Sequence, residues 1–542
     1  MGWIKVRTRK VFPIRRKKSQ ANSILEPKKQ KPNENQEKGQ TVKHIFPSLE
    51  ENLDYIKTTL GNCSDITLRK FPLDKEAKQT VCLIYADGLS NSAFIQEFII
   101  ETLMVDIQKL LVTEGKQAEK LFHLIRSRGL PVADLRELSD FEQLFSTVLS
   151  GDTVLLMNGV SKGLTLNSKG WEKRGVAEPT SQTVVRGPKD CFTETLRTNT
   201  ALIRRRIKDT NLRVDSMKIG TRTQTDVAIM YIHGIVLDEI VNEVKERLSR
   251  ITIDGILESG QIEEFIQDAK YSPFPTVMNT ERPDSVAAAL LEGRIALVID
   301  GTPFVLMVPS LFIHFFQSSE DYYHRADIST FIRLLRYLAF FLALLTPSAY
   351  IAVTTFHQEM LPSEMLISLA AQREGVPLPA IVEAIMMEIT FEILREAGIR
   401  MPRAVGSAIS IVGALVIGQA AVEAGIVSAS MVIVVALTAI SSFVSPAFNM
   451  SISTRLLRFP LMLLAATFGL FGILLGLIVM VLHLSSIRSF GIPYLAPNAP
   501  FNLQDQKDNF VRAPRWLLRT RPHLISPHNI NRSTTPPPKP PK

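Results

Sequence analysis

Four stretches without a single Asp, Glu, Lys or Arg constrain this sequence more than anything else in it: Tyr337 to Gln358, Ala404 to Val422, Ala424 to Thr454 and Phe459 to Ile487. Each reaches the roughly 20 apolar residues that a helix needs to cross about 30 Å of hydrocarbon. The whole-chain values, 46% hydrophobic, 21% charged and a mean hydropathy of +0.12, conceal this segregation. The sequence therefore predicts a large soluble N-terminal part, a bundle of membrane-spanning helices at about 337–357, 404–422, 428–449 and 460–484, and a basic tail over 488–542.

Charge places the ends. Residues 1–43 hold thirteen Lys/Arg against three Glu, and the chain beyond Leu484 holds nine Lys/Arg against two Asp. Both excesses favour the cytoplasmic side of a membrane. Residues 1–45 read as a disordered basic arm suited to anionic lipid. Nucleic acid is not expected as a partner, because no aromatic-interleaved or base-reading module accompanies the arm. The start of the chain lacks the apolar core and cleavage site of a secretory signal. Cys63, Cys82 and Cys191 are too few and too scattered for a disulfide framework, which suits a reducing compartment.

An internal repeat organises residues 80–310. VCLIYADG, ending at Gly88, matches VAIMYIHG, ending at Gly234; LSGDTVLLMNGVSKGLTL from Leu149 matches LEGRIALVIDGTPFVLMV from Leu291. Each pair reads as an apolar strand, a Gly opening a helix, and later a strand hairpin through Asn-Gly or Asp-Gly. Asp300-Gly301 thus makes Ile295 to Phe316 a hairpin rather than a fifth span, since Asp300 in lipid would cost a few kcal/mol. The predicted fold class is an α/β N-terminal part of two related units, 46–170 and 227–310, followed by an all-α multi-pass domain over 337–487. A linker with a helix (171–226) and an amphipathic connector (311–336) join them.

No catalytic, cofactor or metal site is expected. Gly159 to Gly163 fits G-x-S-x-G around Ser161, but a strand, not a helix, follows the serine. H-E-x-x-H, P-loop and dinucleotide patterns are absent from the sequence, and the nine histidines are dispersed.

Three residue groups carry the functional expectations. Arg204, Arg205 and Arg206 end the linker helix and read as solvated end-of-helix charge or as a subunit contact. Gly469, Gly472 and Gly476, with Ala465, form a small-residue stripe that lets another helix approach closely. In Leu378 to Ala397, Glu388, Glu392, Arg395 and Glu396 fall within a polar arc of about 100°, with Glu383 pointing away. Glu388 and Glu392 repel at i,i+4, so cations or arginines must lie near them. This segment reads either as an interfacial helix or as an acidic face lining a cation path, with Glu388, Glu392 and Glu396 as its candidates. Four spans plus this partly inserted helix is the favoured topology. It leaves Arg455 and Arg458 outside, against the usual bias; if the helix spans, that loop moves inside and the tail moves out.

The strings VVRGPKDCFTETLRTNTALIRRRIK, NTERPDSVAAALLEGRIALVIDGTPFVLMVPS, FHQEMLPSEMLISLAAQREGVPLP and MEITFEILREAGIRMP, followed by ISIVGALVIGQAAVEAGIVS, resemble the A subunits of bacterial spore germinant receptors, the GerA family. The likeness covers about residues 45–490. It implies a protein of the spore inner membrane working with a permease-like B subunit, which takes the nutrient, and a lipoprotein C subunit. It further implies that A subunits form a homo-oligomer and an ion channel opened by nutrient. A membrane scaffold or a secondary transporter are the rival readings.

Overall fold

The computed structural model describes residues 43–73, 79–106, 118–126, 135–170, 178–179, 181–400 and 418–538. Residues 1–42 of the basic arm, most of the expected span 404–422 and the last four residues of the tail lie outside them.

Two five-stranded sheets form the N-terminal part. The first comprises β1 (Ile66–Pro72), β2 (Thr80–Ala86), β3 (Leu135–Leu138), β4 (Thr153–Met157) and β5 (Gly163–Leu166). The second comprises β6 (Leu212–Ile219), β7 (Thr225–Ile232), β8 (Met278–Thr280), β9 (Ile295–Ile299) and β10 (Val305–Val308). Their orders, β1-β2-β4-β5-β3 and β6-β7-β9-β10-β8, are the same, and every pairing is antiparallel. Val81 stands opposite Met157 as Val227 stands opposite Ile299. The central strands β4 and β9 are buried at every position, because helices cover both faces of each sheet.

Alternation within the apolar strands explains the layers. Cys82, Ile84, Val154 and Leu156 face α1 (Leu49–Leu60) and α2 (Phe141–Val148), while Val81, Leu83, Leu155 and Met157 face the opposite helical layer. In the second sheet Ala228, Met230, Ala296 and Val298 face α3 (Leu196–Arg206) and α4 (Pro283–Leu291).

The repeat is longer than the sequence motifs indicate. Asn52 bonds both backbone groups of Phe46, and Asn199 bonds both backbone groups of Thr193. The turn residues also match: Asn158 accepts from the Leu49 amide at 3.2 Å, and Asp300 from the Leu196 amide at 2.9 Å. Each hairpin turn thus caps the helix that opens its own unit, satisfying an N–H that the helix leaves unpaired. Helix α3 and strand β6 therefore belong to the second unit, which begins before 227; the expected linker over 171–226 is corrected accordingly.

A helical bundle follows, with α5 (Ala326–Thr355), α6 (Ala380–Arg400), α7 (Ala429–Phe443) and α8 (Phe448–Ser486). Among the described residues, α5 and α8 have the length and apolar composition of membrane-crossing helices, α8 only with the segments on both sides of Gly469 counted together. Pro446 separates α7 from α8, so the expected span 428–449 ends at Phe443. The expected span 460–484 is also divided. Gly469 takes φ 62° and ψ −141°, and the chain reverses there. A Cβ on Gly472 would collide with the Leu464 carbonyl oxygen, and one on Gly476 with the Leu461 side chain. Residues eight apart on one straight helix would sit about 12 Å apart along its axis. Residues 448–468 and 470–486 are accordingly two antiparallel limbs of a hairpin.

The tail folds back on the second unit. After the short hairpin β11 (Arg488–Ser489) and β12 (Ile492–Pro493), Phe490, Ile492, Ala496 and Ile525 join the core formed by Val227, Ile229 and Leu297. Ser489 Oγ donates to Thr276 O at 2.8 Å, Tyr494 Oη to Pro275 O at 2.7 Å, and Ser526 Oγ to Ile235 O at 2.7 Å.

Candidate functional site

Helix α6 carries the residues that matter most. It starts where Pro379 permits a new helix and runs against α5, α7 and α8. Glu388 and Glu392 lie one turn apart, and both point at the first limb of α8, which supplies Arg458 and Arg455. Arg458 pairs with Glu388 through Nη1, and its Nε donates to Ala343 O of α5 at 2.9 Å. Glu388 is 0% exposed and Arg458 1%. Glu392 is bridged by two Arg455 nitrogens, one of them Nε at 2.8 Å, in a half-buried pair. Arg395 lies between the Phe391 and Phe443 rings, 5.0 and 4.7 Å from their centroids, and donates to Ser442 Oγ at 2.5 Å. Glu383, on another face, accepts from the Ser428 amide and hydroxyl at 2.5 Å and so caps α7.

Arginines on a different helix thus supply the positive charge that the Glu388–Glu392 spacing calls for. One oxygen of Glu388 and Nη2 of Arg458 remain without a hydrogen-bond partner inside the bundle. Beyond this pair the α6–α8 contact widens into an open cleft of about 670 Å³, lined by Glu392, Glu396, Arg400 and Arg455 among apolar side chains. Glu396 also pairs with Arg400 at 2.6 Å. The three acidic candidates therefore divide: Glu388 is locked in the interior, while Glu392, paired with Arg455, and Glu396, paired with Arg400, line the cleft.

The other candidates are dispersed. Arg204 is not a solvated end-of-helix charge. It is 1% exposed and grips Asp65 through two bonds of 2.5 and 2.9 Å, tying the second unit to the first. Arg206 holds Asp190 at 2.5 and 2.7 Å, and Arg205 faces solvent. Gly469 packs against Phe356 and His357 after α5, while Gly472 and Gly476 admit the other limb of their own hairpin.

A second polar joint has no signature in the sequence, because its members lie in the connector, in α5 and in the tail, and only folding unites them. Arg333 on α5 donates to Asp321 at 3.1 Å and to Asp508 of the tail at 2.9 Å. Arg336 donates to Asp321 at 2.7 Å, and Tyr322 Oη to Asp508 at 2.8 Å. Burial raises the Asp508 carboxyl above its ordinary range, with Arg333 opposing the shift. Burial also holds the nearby His314 well below its ordinary value. The connector, the start of α5 and the tail meet at this joint.

The description "Bacillus/Clostridium GerA spore germination protein" matches residues 54–524. The chain belongs to the GerA family. Among its relatives, Spore germination protein KA of Bacillus subtilis is 49% identical, the match covering 89% of this chain and 87% of the relative. Spore germination protein GerLA of Bacillus cereus is 39% identical, over 88% and 96% of the two chains. A Bacillus subtilis relative named "Uncharacterized membrane protein YfkQ" is 46% identical over 90% of this chain and 93% of its own length. That relative and the two long apolar helices point to a membrane location for this GerA protein. A solved structure, the N-terminal domain of the A subunit of the Bacillus megaterium spore germinant receptor GerK3, is 40% identical with a TM-score of 0.39, covering 50% of this chain and 99% of that one.

Proposed function

We infer that this GerA protein is the A subunit of a nutrient germinant receptor of the spore inner membrane. It works without catalysis of its own, in a homo-oligomer whose helices carry the ion flux that nutrient releases. A permease-like B subunit takes the nutrient and a lipoprotein C subunit completes the receptor. The observation that carries the reading is the charged cluster of Glu388, Glu392, Arg395, Arg455 and Arg458 set among apolar helices and opening into the Glu396 cleft. Charge at that depth is costly and is retained where it lines or controls an aqueous path. The Ser489 and Tyr494 bonds to the second unit support one compartment, the cytoplasm, for both the soluble part and the tail, hence an even number of crossings between them.

Glu396→Lys reverses charge in the cleft without touching the buried Glu388 pair. Spores carrying it at normal receptor levels are expected to release cations more slowly on nutrient, or with altered selectivity, while germinating normally by routes that bypass the receptor. Unchanged nutrient-triggered release would move the path to the helices near Pro347 or Pro446, or favour a scaffold role.

A further inference from the structure

We propose that the tail segment Pro500–Arg519, together with the Lys270–Tyr271 loop, is a collar that seats the soluble part on an anionic lipid surface. The proposal rests on the membrane reading above and adds a lipid-binding surface to it.

Level is the first argument. Phe510 packs against Tyr337 with ring centroids 4.8 Å apart and planes tilted by 49°, and Tyr337 opens the first uncharged run. The neighbouring backbone is clamped to α5 one to two turns before Tyr337. Arg333 Nη1 donates to Asp508 O and Asn509 O at 2.9 and 3.0 Å, and the Arg512 amide donates to Thr330 Oγ1 at 3.2 Å. The other part of the collar sits at the end of the last uncharged run. Ser272 bonds His483 at 2.8 Å, and Ser453 donates to Pro273 O, which fixes Tyr271 beside both limbs of the α8 hairpin. Two segments far apart in sequence thus meet the bundle where its uncharged runs begin and end.

Side-chain chemistry is the second. The tail buries Tyr494 and Ile525 completely, yet leaves Phe501 71%, Leu503 74% and Val511 51% exposed; Tyr271 is 99% exposed. Basic groups flank them: Lys507, Arg515 and Arg519 on the tail and Lys270 beside Tyr271 are all exposed. Of the two tail acids, Asp508 is already held by Arg333 and Tyr322, and Asp505 accepts from the His523 amide and Asn502. Aromatic rings among lysines and arginines at the edge of an apolar bundle match the headgroup region, where rings sit at the boundary and cations meet anionic lipid. On α5, beside the tail contacts at Thr330, Arg333 and Tyr337, the apolar side chains Phe331, Leu334, Leu338 and Phe341 are exposed.

The test uses the full chain with Trp3, Trp171 and Trp516 replaced by Phe and a single reporter introduced as Phe501→Trp or Phe510→Trp. The protein is reconstituted in phosphatidylglycerol-containing vesicles with or without acyl-brominated lipid. Both reporters are expected to emit in the blue and to be quenched, more strongly by bromines near the headgroup than near the chain end. Phe98→Trp, exposed on the first unit, should stay unquenched. Adding Lys507→Glu, Arg515→Glu and Arg519→Glu should lower Phe501→Trp quenching about twofold in anionic vesicles and leave it unchanged in zwitterionic ones. Unquenched red emission would place the segment in water, and unquenched blue emission would place a protein partner or a second copy on it. Either result overturns the proposal. A spin label on Leu503→Cys, read by oxygen against a nickel chelate, checks the same depth without tryptophan.

Discussion

At the scale of single residues, Glu388 and Arg458 behave as one object. Each is desolvated, and each neutralises the other inside an apolar bundle. Removing one partner of such a pair leaves an uncompensated buried charge and costs about 3–5 kcal/mol, whereas replacing both with apolar groups of similar volume is often neutral. Glu388→Gln is therefore expected to lower the melting temperature in detergent sharply, and the double variant Glu388→Met with Arg458→Met should restore most of it. A loss in the double variant equal to the sum of the losses in the two single variants would show that the pair contributes no coupling. The sequence exposes half of this object. The i,i+4 repulsion between Glu388 and Glu392 signals that positive charge is near, but nothing local identifies Arg458, which arrives on another helix. Arg204 misleads for the same reason: its helix end looks solvated until the distant Asp65 meets it from the other unit.

Secondary-structure elements were legible where their signal is local. Strands with Asn-Gly or Asp-Gly turns announce themselves through a period of two and a turn residue, and both sheets follow that pattern. The matching of α1 with α3 was not legible. It is carried by Asn52 and Asn199, which have no shared string around them, and by side-chain bonds from the turn residues Asn158 and Asp300, whose matched strings show the turn but not the helix it caps. The hairpin in α8 was half-visible. The small-residue stripe promised close helix contact, but a hydropathy window cannot reveal that the partner is the preceding limb of the same element. Gly472→Ala tests this geometry, since its Cβ would collide with the Leu464 carbonyl oxygen, which is backbone and has little room to yield. Overpacking of this kind costs about 1–3 kcal/mol. Thermal melts should register that loss for Gly472→Ala and none for Gly375→Ala, where no atom lies within 4 Å of the added methyl.

For the whole molecule, the strap formed by the tail decides how stability is shared. Phe490, Ile492 and Ile525 are buried in the second unit's core, and side chains of this size each contribute about 1.5–3 kcal/mol when fully buried. Domain stabilities total only about 5–15 kcal/mol. A fragment of residues 44–316 should therefore bind an apolar dye and melt in two steps, the second unit first. Retention of the full-length melting temperature by that fragment would mean that the strap is dispensable. The same strap has a consequence for biosynthesis. Ile525 leaves the ribosome long after β10, once α5 to α8 have been translated. The first unit can finish folding early in synthesis. The second reaches its full stability only when the membrane helices have been made and the chain has returned to cover the open side of its core.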